Sequence, residues 1–322
     1  MLNIYDAQGQ GLVRRESADS CAAAVWVDML NPTKDEEAFV ERTLGIDIPT
    51  REEMREIEVS SRLYQENGAH FMTAMLLHLV DTPNPQSTDV TFILTDKRLV
   101  TVRYADMKPF PMYLSRAEKG DARADSPMQI LLGLLEASID RQSDLIARLQ
   151  GDMERLAGSI FEMKGGTTTR SRRFDVVLKQ IGREGEVAAK SRESLHQVGR
   201  MLTYVGNVAV QRNDDEPTRA RIASEARDAQ SLADQVSFLQ SRIMFMLDAS
   251  LGMVANEQNQ IIKLFSVGAV MLMPPTLVAS IYGMNFKHMP ELEWPYGYPL
   301  AIGLMVCSAL LPFLYFRRKG WL

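Results

Sequence analysis

Two apolar runs decide the fold of this chain. Residues 264–282 read LFSVGAVMLMPPTLVASIY and residues 298–316 read YPLAIGLMVCSALLPFLYF, and neither run contains a charged side chain. A helix needs roughly 20 apolar residues to cross about 30 Å of hydrocarbon, so each run is long enough to span a membrane. Two such runs in succession favour a pair of transmembrane helices within residues 256–322 over the buried hairpin of a soluble domain.

Charged side chains around these runs predict their orientation. The basic residues just outside the runs are Lys263, Arg317, Arg318 and Lys319. The connecting segment, residues 283–297, instead carries Glu291 and Glu293 against the single Lys287. Because positive residues concentrate on the cytoplasmic side, we expect an external loop at 283–297, a basic cytosolic tail, and both termini in the cytoplasm. Aromatic residues at Trp294 and Trp321 fit the belts of a membrane interface.

One helical face of the first run and of the residues just before it is mostly small or weakly polar. Residues spaced three or four apart share this face, and we call them the small-residue stripe: Asn259, Ile262, Ser266, Ala269, Met273, Thr276 and Ser280. Such a stripe fits the wall of a pore, but small residues also let membrane helices pack closely, and the pattern alone leaves both interpretations open. Pro274 and Pro275 lack N–H groups and free the carbonyls of Val270 and Met271, which membranes tolerate only where they face water or protein. The prolines therefore favour the pore wall.

Residues 1–125 predict a small cytosolic α/β domain. Its β-type runs are residues 22–28, 71–80, 90–94 and 99–104,. Its helical runs are residues 32–44 and 49–59,. In the second helical run, Thr50 and Glu53 form a Thr-x-x-Glu pattern that is typical of a helix start.

Residues 126–255 predict long helices that form a stalk. A first helix starts at Ser126-Pro127 and stops near Gly165-Gly166, and a second spans about residues 170–211,. A third starts near Pro217 and continues through the first apolar run to about Tyr282, which makes it about 100 Å long. On their own, these segments are equally consistent with a helical bundle or coiled coil of any function.

Composition argues against several function classes. The formal net charge of −5 argues against a nucleic-acid partner, whose phosphates require a concentrated basic face. An ATP-driven pump is disfavoured because the chain has no Gly-x-x-x-x-Gly-Lys-Ser/Thr loop,. The histidines lack metal-ligand spacing, and Cys21 and Cys307 form no Cys-x-x-Cys pair,. We therefore expect no enzyme chemistry, no disulfide framework and, from the first residues, no cleavable signal peptide.

A motif follows the first apolar run. Gly283-Met284-Asn285 comes directly after Tyr282, and Met-Pro-Glu-Leu occupies residues 289–292. Here the chain resembles the CorA magnesium transporters, whose signature is Tyr-Gly-Met-Asn-Phe followed by Met-Pro-Glu-Leu at the external end of the first of two spans. The resemblance is to the enterobacterial type and is traceable back through residues 51–58 and 24–28, so it covers most of the chain.

The resemblance implies an α+β fold class: a cytosolic α/β domain with a long helical stalk and two C-terminal transmembrane helices, assembled as a funnel-shaped homopentamer. It also implies a selectivity filter at Gly283, Met284 and Asn285, with Asn285 forming a ring at the outer mouth. A ring of amide and carbonyl oxygens suits Mg²⁺, which holds its water tightly, and Gly283 permits the turn. Without this context, Asn285 is also consistent with a helix C-cap.

The same resemblance gives roles to residues elsewhere. Asn259 and Met273 fall on pore-lining positions, with Met273 and Phe265 as apolar constrictions. Asp248 falls on a stalk position that binds regulatory Mg²⁺ between subunits. The basic residues flanking the spans form an inner collar, although membrane topology alone explains their charges equally well.

One feature departs from the enterobacterial pattern. Those members carry an acidic residue where Lys287 stands and a basic one where Glu293 stands. The charges of the external loop are therefore exchanged, which puts an ion-attracting role for Lys287 in doubt.

These observations predict a divalent-cation channel in the bacterial inner membrane. From the resemblance, we expect it to take up Mg²⁺, and also Co²⁺ and Ni²⁺, driven by the membrane potential and gated by intracellular Mg²⁺. One alternative is similarity to the ZntB zinc transporters, which share Gly-Met-Asn but lack Met-Pro-Glu-Leu. Another is a membrane-anchored sensor or scaffold that does not conduct.

Overall fold

A computed structural model describes residues 1–9, 11–15, 21–56, 58–161, 167–285, 289–290 and 294–321. The chain divides into two compact units. The first unit comprises Met1–Met163 and Val176–Met246, and the second comprises Lys164–Asp175 and Leu247–Leu322.

The first unit contains a mixed seven-stranded sheet in the order β2-β1-β3-β7-β6-β5-β4. The strands are β1 (Leu2–Gln8), β2 (Gly11–Arg15), β3 (Trp26–Leu30), β4 (Leu63–Glu66), β5 (Ala69–His78), β6 (Gln86–Leu94) and β7 (Leu99–Arg103). Neighbours are antiparallel except β3 and β7, which run parallel with Trp26 opposite Leu99. The sheet thus places a strand from the first 30 residues directly beside one from residues 99–103.

The expected strand at residues 22–28 is wrong in its first half. Residues 21–23 form a turn, and β3 begins only at Trp26, which pairs with Tyr5 of β1 and Leu99 of β7. Ala22 and Ala23 are apolar but exposed and lie outside β3, so their hydropathy alone indicated a strand. Strands β1, β2 and β4 escaped prediction, and the edge strand β2 buries only Leu12 among its residues, which leaves little alternation to detect.

The helix expected at residues 49–59 is also wrong. The Thr50–Glu53 box is present, with the Thr50 N–H 2.8 Å from Glu53 Oε2 and the Glu53 N–H 3.3 Å from Thr50 Oγ1. It caps only a 3₁₀ turn at Glu53–Arg55, because Glu56 takes the extended ψ of 140° and stops the helix. Residue 57 lies outside the described residues, and a short helix α2 (Val59–Arg62) follows.

Helices cover both faces of the sheet. Helix α1 (Lys34–Leu44) buries Val40 against one face, together with Val27, Phe71 and Val100. On the other face, α3 (Pro109–Glu118) and α4 (Pro127–Phe161) join a core around Trp26 and Phe92. Helix α3 was not predicted, although Pro109 stands in its first turn, where proline is well tolerated.

A buried ion pair ties β3 to β7. Arg103 donates from Nε to Asp28 Oδ1 and from a terminal nitrogen to Asp28 Oδ2, each at 2.9 Å. The Thr101 hydroxyl donates to the same carboxylate at 2.9 Å. Because both charged side chains are about 95% buried, these hydrogen bonds offset the cost of removing the charges from water.

Three long helices and one shorter helix complete the chain. They are α4, α5 (Thr167–Gln211), α6 (Glu216–Tyr282) and α7 (Gly297–Arg318). The expected start at Ser126-Pro127 and the expected end at Tyr282 are confirmed. The predicted break at Gly165-Gly166 lies outside the described residues. An α+β fold with long helices and two candidate C-terminal spans is therefore confirmed.

Candidate ion pathway in the second unit

The two apolar runs form helices that expose their side chains. The most apolar windows of α6 and α7 have mean hydropathies of 1.8 and 2.0, and only 6% of each window is buried. The core helix of a soluble protein would be mostly buried, so both helices are candidate membrane spans by length and composition.

A contact places the start of the first span beside the residues that follow the second. The ammonium group of Lys263 lies 5.8 Å from the ring centroid of Trp321. Arg317 and Arg318 occupy the last turn of α7, immediately before Lys319 and Trp321. The four residues predicted as an inner collar therefore lie at the same end of the two candidate spans.

Each span has a single covered face. In α6 the buried or half-buried residues are Val267, Gly268, Met271, Pro274, Pro275, Val278 and Tyr282. In α7 they are Gly297, Ala301, Met305, Ser308, Ala309, Pro312, Phe313 and Phe316. Both sets recur at helical spacing, as expected for two helices that pack against each other.

The small-residue stripe lies on the opposite face of α6. All seven of its residues are exposed, and so is Phe265, whose side chain is 73% exposed. At about 100° per residue, the stripe is about half a turn away from the covered face. Close packing of the stripe against α7 is therefore ruled out, and the stripe is free to line a path or to meet another chain.

Helix α6 passes through Pro274 and Pro275 without ending. At the next residue, the Thr276 hydroxyl lies 2.8 Å from the Met273 carbonyl oxygen and 3.0 Å from the Leu272 carbonyl oxygen, and donates its hydrogen within the helix. Because that hydrogen is engaged, the Thr276 oxygen offers lone pairs to its exposed side. It can accept hydrogen bonds from the water shell of a cation.

The Gly-Met-Asn segment closes α6. The Gly283 N–H lies 2.9 Å from the Ala279 carbonyl oxygen and the Met284 N–H lies 3.2 Å from the Ile281 carbonyl oxygen. Asn285 is exposed, stands three residues beyond the helix and does not take the left-handed conformation of a C-cap. The C-cap interpretation is therefore excluded. No hydrogen bond joins its side chain to another residue in the part of the chain that the structure describes.

Gly283 lies in the turn that follows α6, and a short contact restricts the side chain at this position. Gly283 does not take a positive φ. Instead, a Cβ at this position would stand 3.0 Å from the Ala279 carbonyl oxygen. A close approach to the last helical turn, rather than a left-handed conformation, explains the glycine.

Among the residues that it describes, the structure does not bring the predicted regulatory residue Asp248 together with other metal ligands. Asp248 is exposed on α6, and no group of three His, Cys, Asp or Glu residues able to hold a metal occurs within the described ranges. Lys287, Glu291 and Glu293 lie outside the described residues. The exchange of loop charges therefore stays a sequence observation.

Sequence reasoning missed the role of Gly320 and Trp321. Gly320 has a φ of +70°. It comes directly after Lys319, the residue that caps the basic last turn of α7. Glycine just past basic residues is a recognised signal for a helix end that folds back. That signal could have predicted the turn, although not the contact of Trp321 with Lys263.

Comparison with protein families gives one match that covers most of the chain. The family described as CorA-like Mg²⁺ transporter protein matches residues 22–318. The chain belongs to the CorA family. Among curated CorA relatives, the magnesium transport proteins CorA of Yersinia pestis and Salmonella typhimurium are each 35% identical to it over 100% of both chains. The Haemophilus influenzae protein of the same name is 34% identical, also over 100% of both chains.

Solved structures of low sequence identity share the fold of this CorA-family chain. The CorA magnesium transporter from Methanocaldococcus jannaschii matches with a TM-score of 0.70 at 17% identity, over 100% of this chain and 99% of that one. The full-length CmaX protein matches with a TM-score of 0.69 at 13% identity, over 100% and 98%. These likenesses confirm the α+β fold that the sequence predicted, and the homopentamer stays a prediction.

Proposed function

We propose that this chain is one subunit of a Mg²⁺ channel. The observation that carries the proposal is the exposed small-residue stripe of α6, which faces away from the covered side and leads to the exposed Gly-Met-Asn segment. Full-length relatives that bear the name magnesium transport protein support the choice of ion. The stripe then forms the wall of the path, and Gly283, Met284 and Asn285 form its outer mouth.

The path requires several copies of the chain. Two spans cannot enclose a pore, so the stripes of neighbouring subunits must face a common axis. We place five copies around that axis, as the family resemblance implies. Met273 and Phe265 are large, apolar and exposed at 69% and 73%, which suits them to narrow such a path.

The ion passes with its water shell largely retained. Mg²⁺ gives up its water reluctantly, so oxygen atoms that accept hydrogen bonds from the shell are better suited than ligands that must replace it. The Asn285 amide and the Thr276 hydroxyl offer such oxygens. Co²⁺ and Ni²⁺ carry the same charge and should also be transported.

The membrane potential supplies the driving force. Each charge gains about 2.3 kcal/mol per 100 mV, so a divalent ion gains about 4.6 kcal/mol on moving inward. We place both termini and the first unit in the cytoplasm and the loop of residues 283–297 outside, in a bacterial inner membrane. The basic side chains then lie at the inner mouth.

Intracellular Mg²⁺ closes the channel in this proposal. Bound between subunits at Asp248, it holds the closed arrangement; its loss leaves like charges facing each other and favours opening. Asp248 is exposed on α6. A residue that binds an ion between subunits has to be exposed when one subunit is considered alone. Its substitution by asparagine should weaken inhibition by Mg²⁺ on the cytoplasmic side. Asp234→Asn, an exposed position on the same helix, should not.

Purified protein in liposomes tests the main proposal. A potential, negative inside, should drive Mg²⁺ uptake that Asn285→Ala abolishes and Asn207→Ala, an exposed asparagine of α5, leaves unchanged. Equal uptake by Asn285→Ala would refute the filter. Absence of any cation flux in the wild type would favour a sensor or scaffold, and a clear preference for Zn²⁺ would favour a zinc transporter.

A further inference from the structure

The residues after α7 fold into a defined turn. The Gly320 N–H lies 3.1 Å from the Arg317 carbonyl oxygen, and the Trp321 N–H lies 3.1 Å from the Phe316 carbonyl oxygen. With Gly320 at a φ of +70°, these two bonds form a Schellman motif, which reverses the chain at the end of a helix. The turn therefore gives Trp321 a fixed direction.

The Trp321 ring has a neighbour on each helix. It stacks on Phe316 of α7, with ring centroids 5.4 Å apart and planes inclined by 23°. This is the hydrophobic contact that commonly accompanies a Schellman motif. The ammonium group of Lys263 lies 5.8 Å from the Trp321 centroid, within the distance at which a cation is attracted to an aromatic ring.

The position of Lys263 on α6 gives this contact a consequence. Lys263 is adjacent to Ile262 of the small-residue stripe and three residues before Ser266. At about 100° per residue, its side chain leaves the helix between the stripe and the covered face. The contact between Trp321 and Lys263 therefore restrains the rotation of α6 about its own axis at the inner end of the span.

We propose that Trp321 and Lys263 form a clasp that positions the stripe at the inner mouth of the pore. This role rests on the proposed channel function. Lys263 acts here as a positioning residue held by the α7 tail, rather than as one charge of a collar open to the path. Without the clasp, α6 turns more freely and its ion-facing side chains are aligned for a smaller fraction of the time.

Flux measurements on purified, reconstituted protein test the clasp. A partly exposed cation–π contact shifts an equilibrium by about two- to fivefold. Lys263→Met and Trp321→Leu should each lower maximal Mg²⁺ flux by about that factor, and the double variant should be no worse than either single variant. Lys263→Arg should retain the flux, because a guanidinium also binds an aromatic face.

A control separates the clasp from general effects of a lost aromatic contact. Lys319 lies 5.2 Å from the ring of Tyr315, but this pair joins residues of the same helix end. Tyr315→Leu should therefore leave maximal flux unchanged. Independent, multiplying losses in the double variant, or equal losses in Lys263→Arg and Lys263→Met, would overturn the clasp.

Photo-crosslinking tests the contact without relying on transport. Trp321→p-benzoyl-phenylalanine should crosslink, on irradiation of the full-length protein in liposomes, to a peptide of the same chain that contains Lys263. If no such product forms, the clasp is refuted whatever the flux. If the crosslink forms while the wild type carries no Mg²⁺, the proposed channel function fails and the contact stands.

Discussion

The Gly283 N–H donates a hydrogen bond of 2.9 Å to the Ala279 carbonyl oxygen. Helix α6 ends at Tyr282, just before this first residue of the Gly-Met-Asn segment. A Cβ at position 283 would stand 3.0 Å from that same oxygen. The backbone oxygen is held by the helix and cannot move aside as a flexible side chain can. The geometry at the end of the first span therefore depends on the absence of a side chain.

Gly283→Ala should lower Mg²⁺ flux without preventing assembly. Overpacking typically costs about 1–3 kcal/mol, so displacement of the segment should reduce flux by at least about fivefold. Uptake into liposomes is the measurement. Gly303→Ala is the matched control, because a Cβ on that α7 residue meets no atom within 4 Å. Equal flux in the two variants would remove the steric argument.

Thr276→Val should reduce flux while leaving stability nearly unchanged. Valine has the shape of threonine but lacks the oxygen that accepts hydrogen bonds from a hydrated ion. Loss of one such bond, worth about 0.5–1.5 kcal/mol, corresponds to about a two- to tenfold reduction. Thr276→Ser keeps the oxygen and should retain most of the flux. If serine and valine behave alike, the hydroxyl does not contact the ion's water.

Stability should fall as the pH rises from about 4.5 to about 7 because of Glu225,. Burial raises the pKa of Glu225 from 4.5 to about 7, and the carboxylates of Glu136, Asp228 and Asp140 add to this while Arg221 opposes it. A raised pKa means that the folded protein holds the proton more tightly than the unfolded chain. The stabilisation is complete below pH 4.5 and is lost as the pH passes about 7.

Thermal unfolding in detergent at pH values from 5 to 8 measures this effect. Glu225→Gln should flatten the decline between those values, because it removes the titrating group. Glu216→Gln, at an exposed position of the same helix, should leave the slope unchanged. A wild-type unfolding temperature that is constant over this range would contradict the prediction.

Arg103→Met should destabilise the first unit strongly. It leaves the Asp28 carboxylate buried without its partner, which costs about 3–5 kcal/mol. Combining it with Asp28→Asn should recover part of that loss, since the remaining amide carries no charge. Denaturant unfolding of the full chain, followed by circular dichroism, measures both. A double variant less stable than Arg103→Met alone would show that the charge is not the cause.

Local patterns predicted the long helices better than the sheet. Helix starts and the end of α6 at Tyr282 follow from capping residues and hydropathy within a few residues. By contrast, Ala22 and Ala23 have the composition of a strand but lie outside β3, whereas strands β1, β2 and β4 pair with neighbouring strands but show little alternation. Strand pairing depends on distant residues, so a single run of sequence does not decide it.

The sequence by itself determined the two candidate spans, their basic flanks, the small-residue stripe and the Gly-Met-Asn segment, because hydropathy and helical periodicity are expressed within about 20 residues. Only the tertiary structure decided which face of α6 is covered, and it put the stripe on the opposite side. It also decided that Arg103 meets Asp28, 75 residues away, and that Trp321 meets Lys263. Such contacts arise when separate elements pack together, and packing depends on the whole chain.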